Sequence, residues 1–85
     1  MKEFTYTVKD ELGIHARPAG LIVKKAKEYG SKITISANGK SADAGKLMAI
    51  MGMCVKQGAE VTVTVEGEDE EAACAAMQEF FVNNL

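Results

Sequence analysis

Polar and apolar residues alternate along three segments of the chain, at residues 2–8, 32–37 and 60–66. A period of two places successive side chains on opposite faces, so each segment is predicted to be a strand with one buried face. Asn38-Gly39 follows the second segment, and this pair is a strong signal for a two-residue hairpin. We therefore expect a fourth strand that pairs with the second.

Helical spacing of apolar residues predicts two helices, and an almost continuous apolar run predicts a third. Helix A begins at or near His15, because Pro18 is tolerated only in the first turn of a helix. Gly30-Ser31 ends this helix. Helix B is the apolar run, and it is predicted to be a short helix within residues 46–55.

Helix C follows four acidic residues at 68–71, which favour the positive end of a helix macrodipole. Its buried stripe is predicted to consist of Ala73, Ala76, Met77 and Phe80. The order β-α-β-β-α-β-α predicts an α+β fold, an open-faced β-sandwich whose four-stranded, mainly antiparallel sheet carries three helices on one face. The other face, which carries Thr and Lys, is expected to be exposed to solvent. A chain of this length is expected to form one domain, residues 1–85.

Composition narrows the classes of function. Of the 85 residues, 47% are hydrophobic and 26% are charged, as in an ordinary globular protein. The net charge of -2 gives no positive field for nucleic acid, and no apolar run approaches the roughly 20 residues that span a bilayer. We expect a cytoplasmic protein that neither binds nucleic acid nor inserts into membranes. Cys54 and Cys74 are predicted to be reduced core thiols.

His15 is the only histidine, and its setting predicts an anion site. A lone histidine is most often a surface or capping residue without a function. Here, however, a helix start presents unpaired N–H groups and about half a positive charge, and Arg17 can bind two phosphate oxygens at once. Pro18 removes one N–H and leaves those of Ala16 and Arg17 free. A neutral imidazole is a competent nucleophile toward phosphorus, so we predict that His15 accepts a phosphoryl group.

Other chemistries have less support. One histidine and two distant cysteines cannot complete a tetrahedral metal site, and no phosphate-cradling glycine loop is present, so neither a metal nor a cofactor is predicted. Asp10 and Glu11 are close to His15 in sequence, but loop carboxylates are usually solvated and receive no catalytic role. An enzyme would need a second acid-base residue beside His15, whereas a phosphoryl carrier does not need one.

Helix B has apolar residues on more sides than one sheet can cover. Some of Leu47, Met48 and Met51 should therefore reach solvent, where adaptable side chains suit a protein that meets several partners. Docking and simple packing both remain open for these residues.

Residues 13–19 read Gly-Ile-His-Ala-Arg-Pro-Ala. This segment is similar to the active-site motif of the HPr family, the histidine-containing phosphocarriers of the bacterial phosphoenolpyruvate-dependent sugar phosphotransferase system. Stretches at 38–40, 48–51 and 57–63 resemble the same family at the family's spacing, so the resemblance covers the whole chain.

The resemblance implies the same open-faced sandwich and a carrier rather than an enzyme. His15 would be phosphorylated at Nδ1 by phosphorylated Enzyme I and would pass the group to IIA components of sugar permeases, with Arg17 steadying the phosphate. Apart from the resemblance, we expect a monomer, because the sequence shows neither a coiled-coil pattern nor a long exposed edge. The family's docking surface combines the start of helix A with helix B, which here corresponds to Ala16, Arg17, Gly20, Leu47, Met48 and Met51.

Two positions depart from the family. Many Gram-positive members carry a regulatory serine at the start of helix B, where this chain has Lys46. A lysine cannot be phosphorylated as a serine is, and its charge is opposite in sign, so we expect no such regulation. Ser41 is nearby but falls in the hairpin strand and is not given the role. Leu12 replaces a small polar residue that often supports the histidine loop.

Two alternatives to the carrier remain. An HPr-like regulatory module would act by docking through helix B, with His15 dispensable. An unrelated ferredoxin-like ligand-binding domain would share the alternating strands without needing the motif around His15.

Overall fold

The computed structural model describes all 85 residues, Met1–Leu85. It has the predicted order of four strands and three helices, which confirms the α+β class. The elements are β1 (Lys2–Thr7), α1 (Ala16–Ala26), β2 (Lys32–Ala37), β3 (Lys40–Asp43), α2 (Leu47–Gly52), β4 (Glu60–Glu66) and α3 (Glu70–Asn84).

One antiparallel sheet contains all four strands in the order β1-β4-β2-β3. Val63 in β4 lies between Phe4 of β1 and Ile35 of β2. Asn38 and Gly39 connect β2 to β3 with φ angles of 55° and 75°, the left-handed values that a type I′ hairpin requires. The predicted hairpin is therefore confirmed, and the first and last strands of the chain are neighbours in the sheet.

The two faces of the sheet differ as the alternation predicts. Inward-facing residues of the strands join buried residues of all three helices in a core cluster of 21 side chains. The other face carries hydroxyl side chains that pair across strands, with Thr5 opposite Thr62 and Thr34 opposite Thr64. The sheet is thus covered by helices on one side, and its other side is polar.

The predicted stripe of α3 was wrong in its aromatic residue. Ala73 and Met77 are fully buried, but Phe81 is the third core residue, and Phe80 and Ala76 are only partly buried. The Phe81 ring meets the rings of Phe4 and Tyr6 edge-on, with centroid separations of 5.6 and 6.0 Å. Ala73, Met77 and Phe81 follow one another at four-residue intervals and form a stripe that faces β1. Phe80 lies at the edge of this stripe.

The two cysteines lie in different surroundings, and the prediction that both are core thiols was wrong for Cys54. Cys54 is exposed and follows α2 in the left-handed region, at φ 52°. Cys74 is half-buried in α3, and burial raises the pKa of its thiol above the ordinary value.

None of the three helices combines the length and the apolar character that a membrane-spanning helix needs.

Candidate functional site

Helix α1 begins next to His15, as predicted. His15 is the N-cap residue, with extended backbone angles and no capping bond from its side chain, and its carbonyl accepts the Ala19 N–H at 3.0 Å. No carbonyl or side chain accepts the N–H groups of Ala16 and Arg17. Because Pro18 has no N–H, the two amides are the only donors that this helix start offers to an anion.

Close packing at Gly13 holds the loop in front of this helix start. Gly13 has φ +67°, and a Cβ added there would lie 2.2 Å from the Val55 carbonyl oxygen. The same oxygen accepts the Ile14 N–H at 3.0 Å, and the Ile14 side chain is buried in the core. His15 therefore follows a residue that is anchored both by its backbone and by its side chain.

The end of α3 also contacts the loop that precedes α1. The Leu85 carbonyl accepts the N–H groups of Lys9 and Asp10 at 2.6 and 2.7 Å. These bonds place the end of α3 beside His15 and create a surface pocket of about 260 Å³. The pocket is lined by Asp10, His15, Arg17, Pro18, Leu21, Asn83 and Asn84.

The pocket brings together three of the residues predicted to bind phosphate. His15 is half-buried, Pro18 is buried, and Arg17 is exposed with no ion pair or hydrogen bond to its guanidinium. Ala16 is exposed and does not line the pocket, but its free N–H lies at the helix start. An unpaired guanidinium beside unpaired amides can bind a small anion without breaking an existing interaction.

Sequence reasoning missed four residues of this pocket. Asn83 and Asn84 are far from His15 along the chain, and no pattern signals that the end of α3 packs against the first loop. Leu21 faces away from the core stripe of α1. Asp10 was set aside as a solvated loop residue, yet it lines the pocket, and its carboxylate accepts the Leu12 N–H at 2.8 Å.

A second group of exposed residues lies on α2, which packs against α1. We call Leu47, Met48 and Met51 the apolar patch. Their exposed fractions are 40%, 78% and 37%, whereas Ile50 on the same helix is fully buried. This confirms that α2 is apolar on more sides than the core can cover. Gly20 of α1 is half-buried, with open space where a Cβ would stand.

The departures from the family have clear positions. Lys46 is the N-cap residue of α2 and makes no side-chain capping bond, and Ser41 lies in β3 as predicted. The Leu12 side chain is 71% exposed, and only its backbone N–H supports the loop, through Asp10. No three His, Cys, Asp or Glu side chains are close enough together to hold a metal ion.

The fold and pocket together define a small open-faced α+β sandwich whose first helix begins with unpaired N–H groups. Comparison with known proteins gives this class a family. The family described as the PTS HPr component phosphorylation site matches residues 2–83. The phosphocarrier protein HPr of Lysinibacillus sphaericus is 44% identical over 77 residues, which cover 91% of this chain and 88% of that protein. HPr of Mycoplasma capricolum is 35% identical over 83 residues, covering 98% and 93%.

Solved structures agree with this result. HPr from Thermoanaerobacter tengcongensis superimposes with a TM-score of 0.92 at 38% identity, covering 98% of this chain and 93% of that one. An HPr dimer from the same organism matches with a TM-score of 0.76, covering 98% and 95%. The chain therefore belongs to the HPr family of phosphocarrier proteins of the phosphotransferase system.

Proposed function

We propose that His15 accepts a phosphoryl group from phosphorylated Enzyme I and delivers it to IIA components of sugar permeases. The observation that carries this proposal is the open anion site around His15, where the Arg17 guanidinium and the N–H groups of Ala16 and Arg17 all lack partners. Unpaired N–H groups at a helix start, next to a guanidinium without a partner, are suited to binding an anion.

The pocket fits a phosphoryl group in size and charge. Its volume of about 260 Å³ exceeds several times the roughly 30 Å³ that one water molecule occupies. The Arg17 side chain can bind two phosphoryl oxygens in parallel, and the positive end of α1 favours the remaining negative charge. These interactions stabilise the group without enclosing it, because the site is at the surface.

The transfer itself needs little from the protein beyond position. The lone pair of His15 Nδ1 forms the new P–N bond while the donor's bond to phosphorus breaks and its electron pair stays on the donor atom. As the neutral phosphoimidazole forms, the Nε2 proton leaves the ring, and the donor atom takes up one proton. Delivery to an acceptor reverses these steps. Arg17 and the helix start hold the phosphoryl oxygens throughout.

Partners would dock on the apolar patch of α2, which packs against α1. Met48 is the most exposed residue of the patch, at 78%, and flexible methionine side chains can adapt to surfaces of different shape. Ala16, Arg17 and Gly20 on α1 would complete this surface. In this proposal the protein works in the cytoplasm as a monomer, although an HPr dimer is among the matching structures; sedimentation at micromolar concentration would test the monomer.

The experiment is incubation with phosphoenolpyruvate and Enzyme I, followed by intact-mass measurement. One phosphoryl group should be added, labile to acid and stable to base, and His15→Ala should abolish the addition. Because the chain has one histidine, phosphorylation that survives this substitution would overturn the proposal.

Docking is tested with a matched pair of exposed apolar residues. Met48→Ala should slow phosphorylation by Enzyme I, whereas Val82→Ala should not, since Val82 is 61% exposed on α3 and does not line the pocket. A partner complex that forms equally well with His15→Ala and never exchanges phosphate would instead favour the regulatory docking module.

A further inference from the structure

Asp10 takes part in three hydrogen bonds that hold the His15 loop, two through its backbone and one through its side chain. Its N–H donates to the Leu85 carbonyl at 2.7 Å, and its own carbonyl accepts the Gly13 N–H at 2.9 Å. The side chain closes the turn, because Oδ1 accepts the Leu12 N–H at 2.8 Å. The position of the Asp10 carboxylate is therefore determined by bonds on both sides of the residue.

Asp10 lines the same pocket as His15 and Arg17, and its carboxylate is held at the loop by the Leu12 N–H. No lysine, arginine or histidine nitrogen lies within salt-bridge distance of it, since the three ion pairs of the molecule involve other residues. Its negative charge is thus not neutralised by a direct partner. Lys9 and Glu11 are its chain neighbours, and neither lines the pocket.

We propose that Asp10 sets how readily the phosphoryl group leaves His15, through the repulsion between its fixed carboxylate and the bound dianion. This inference rests on the proposed function. A phosphoryl group on His15 brings about two negative charges into the pocket, where Arg17 supplies one positive charge. Asp10 raises the free energy of the phosphorylated form but not that of the free form, so the group is easier to donate.

The charge and the loop-holding bond of Asp10 can be separated by substitution. Asp10→Asn keeps an Oδ1 that accepts the Leu12 N–H and removes the charge, whereas Asp10→Ala removes both. Glu11→Gln is the matched control, because it removes one negative charge from the adjacent exposed residue, outside the pocket. Urea unfolding of each variant reports the structural contribution separately.

The experiment measures how a limiting phosphoryl supply divides between two proteins. Nitrogen-15-labelled wild-type protein is mixed with an equal amount of each unlabelled variant, with Enzyme I as catalyst and limiting phosphoenolpyruvate, and phosphorylated fractions are read by mass spectrometry at equilibrium. Asp10→Asn should hold the group in preference to wild type by about three- to tenfold at low salt, and the preference should shrink as salt is added. Glu11→Gln should stay within about twofold of wild type.

Each outcome decides a different claim. If Asp10→Asn shares the group equally with wild type, or no more favourably than Glu11→Gln does, the role of Asp10 is wrong while the carrier function stands. A preference seen only with Asp10→Ala would assign the effect to the lost bond rather than to charge, and would also overturn the inference. If wild-type protein takes up no phosphoryl group, the proposed function fails and this inference fails with it.

Discussion

The two ends of α1 differ in whether the polar groups near them have hydrogen-bond partners. At the His15 end, the Arg17 guanidinium and two backbone N–H groups have no partner. Beyond the other end, Asp69 from the start of α3 accepts the Gly30 N–H at 2.9 Å and also the hydroxyl of Ser31, which is buried. One end therefore keeps its donors available, while the other uses a carboxylate from a distant segment to satisfy them.

The contrast shows which end of α1 has groups available to bind a ligand. Bonded groups at the Ser31 end stabilise the native state, whereas the unbonded groups at the His15 end would add to its stability only if a ligand bound to them. Rigidity is common to both ends, since each has a glycine packed too closely for a side chain: Gly13 against Val55, and Gly67 against Ser31. Four substitutions test this comparison, from the largest expected effect to the smallest.

Gly13→Ala should have the largest effect, because it affects stability and function together. The new Cβ would meet the Val55 carbonyl and the Lys56 Cα at 2.2 and 2.6 Å, at a φ of +67°. We expect a loss of about 3 kcal/mol in the free energy of unfolding by urea, with slower phosphorylation of His15. Gly20→Ala is the control: it lies in a helix with open space around it and should gain about 0.5–1 kcal/mol. Equal stability of the two variants would contradict the close packing at Gly13.

Gly67→Ala should disturb the packing at Ser31 and lower stability without affecting the surroundings of His15. Its Cβ would lie 2.7 Å from the Ser31 Cα, at a φ of +155°. A loss of about 2 kcal/mol in unfolding free energy is expected, while phosphorylation under folding conditions should match wild type. A phosphorylation defect as large as that of Gly13→Ala would show that the two ends are not independent.

Asp69→Asn should remove a pH-dependent part of stability. The Ser31 hydroxyl and then the Gly30 N–H lower the pKa of Asp69 below its ordinary value of 3.8. A lowered folded-state pKa means that the ionised group stabilises the protein above the unfolded value, and that this contribution is lost as the pH falls through the lowered value. Urea titrations from pH 7 downward should show this loss in wild type and its absence in the variant. An unchanged pH profile would remove Asp69 from the account of stability.

Arg17→Ala should have the smallest effect on folding. Because the exposed guanidinium has no partner, unfolding free energy should stay within about 0.5 kcal/mol of wild type, while the yield of phosphohistidine falls. Arg17→Lys restores the charge but not the paired hydrogen bonds, so intermediate function is expected. A large loss of stability in Arg17→Ala would mean that the Arg17 side chain stabilises the fold and is not free to bind an anion.

Most elements of the fold could be predicted from local sequence patterns. The alternation at residues 60–66 predicted β4 with its observed bounds, Asn38-Gly39 predicted the hairpin, and Pro18 located the start of α1, because each depends on neighbours in sequence. The stripe of α3 failed at Phe80 because Phe80 and Phe81 both continue the helical spacing of Ala73 and Met77. Only contact with Phe4 and Tyr6 decides between them.

Long-range contacts account for the parts of the site that the sequence did not indicate. The motif around His15 identified the phosphoryl-accepting candidate and Arg17. Two of the pocket residues come from the end of α3, and the loop is packed closely against Val55 in the α2–β4 connection. No short window of sequence contains both partners of such contacts, which is also why Asp10 looked like an ordinary loop residue.

The pairing of β1 with β4 has a consequence for the order of assembly. Lys2 is opposite Val65, whereas Ala37 and Lys40 of the β2–β3 hairpin are near neighbours along the chain. Closing a long loop costs more entropy than closing a short one, so the hairpin can form early during translation, and β1 must wait for β4 to emerge from the ribosome. The pocket is also lined by Asn83 and Asn84, so a nascent chain completes it only after residue 84 has been synthesised.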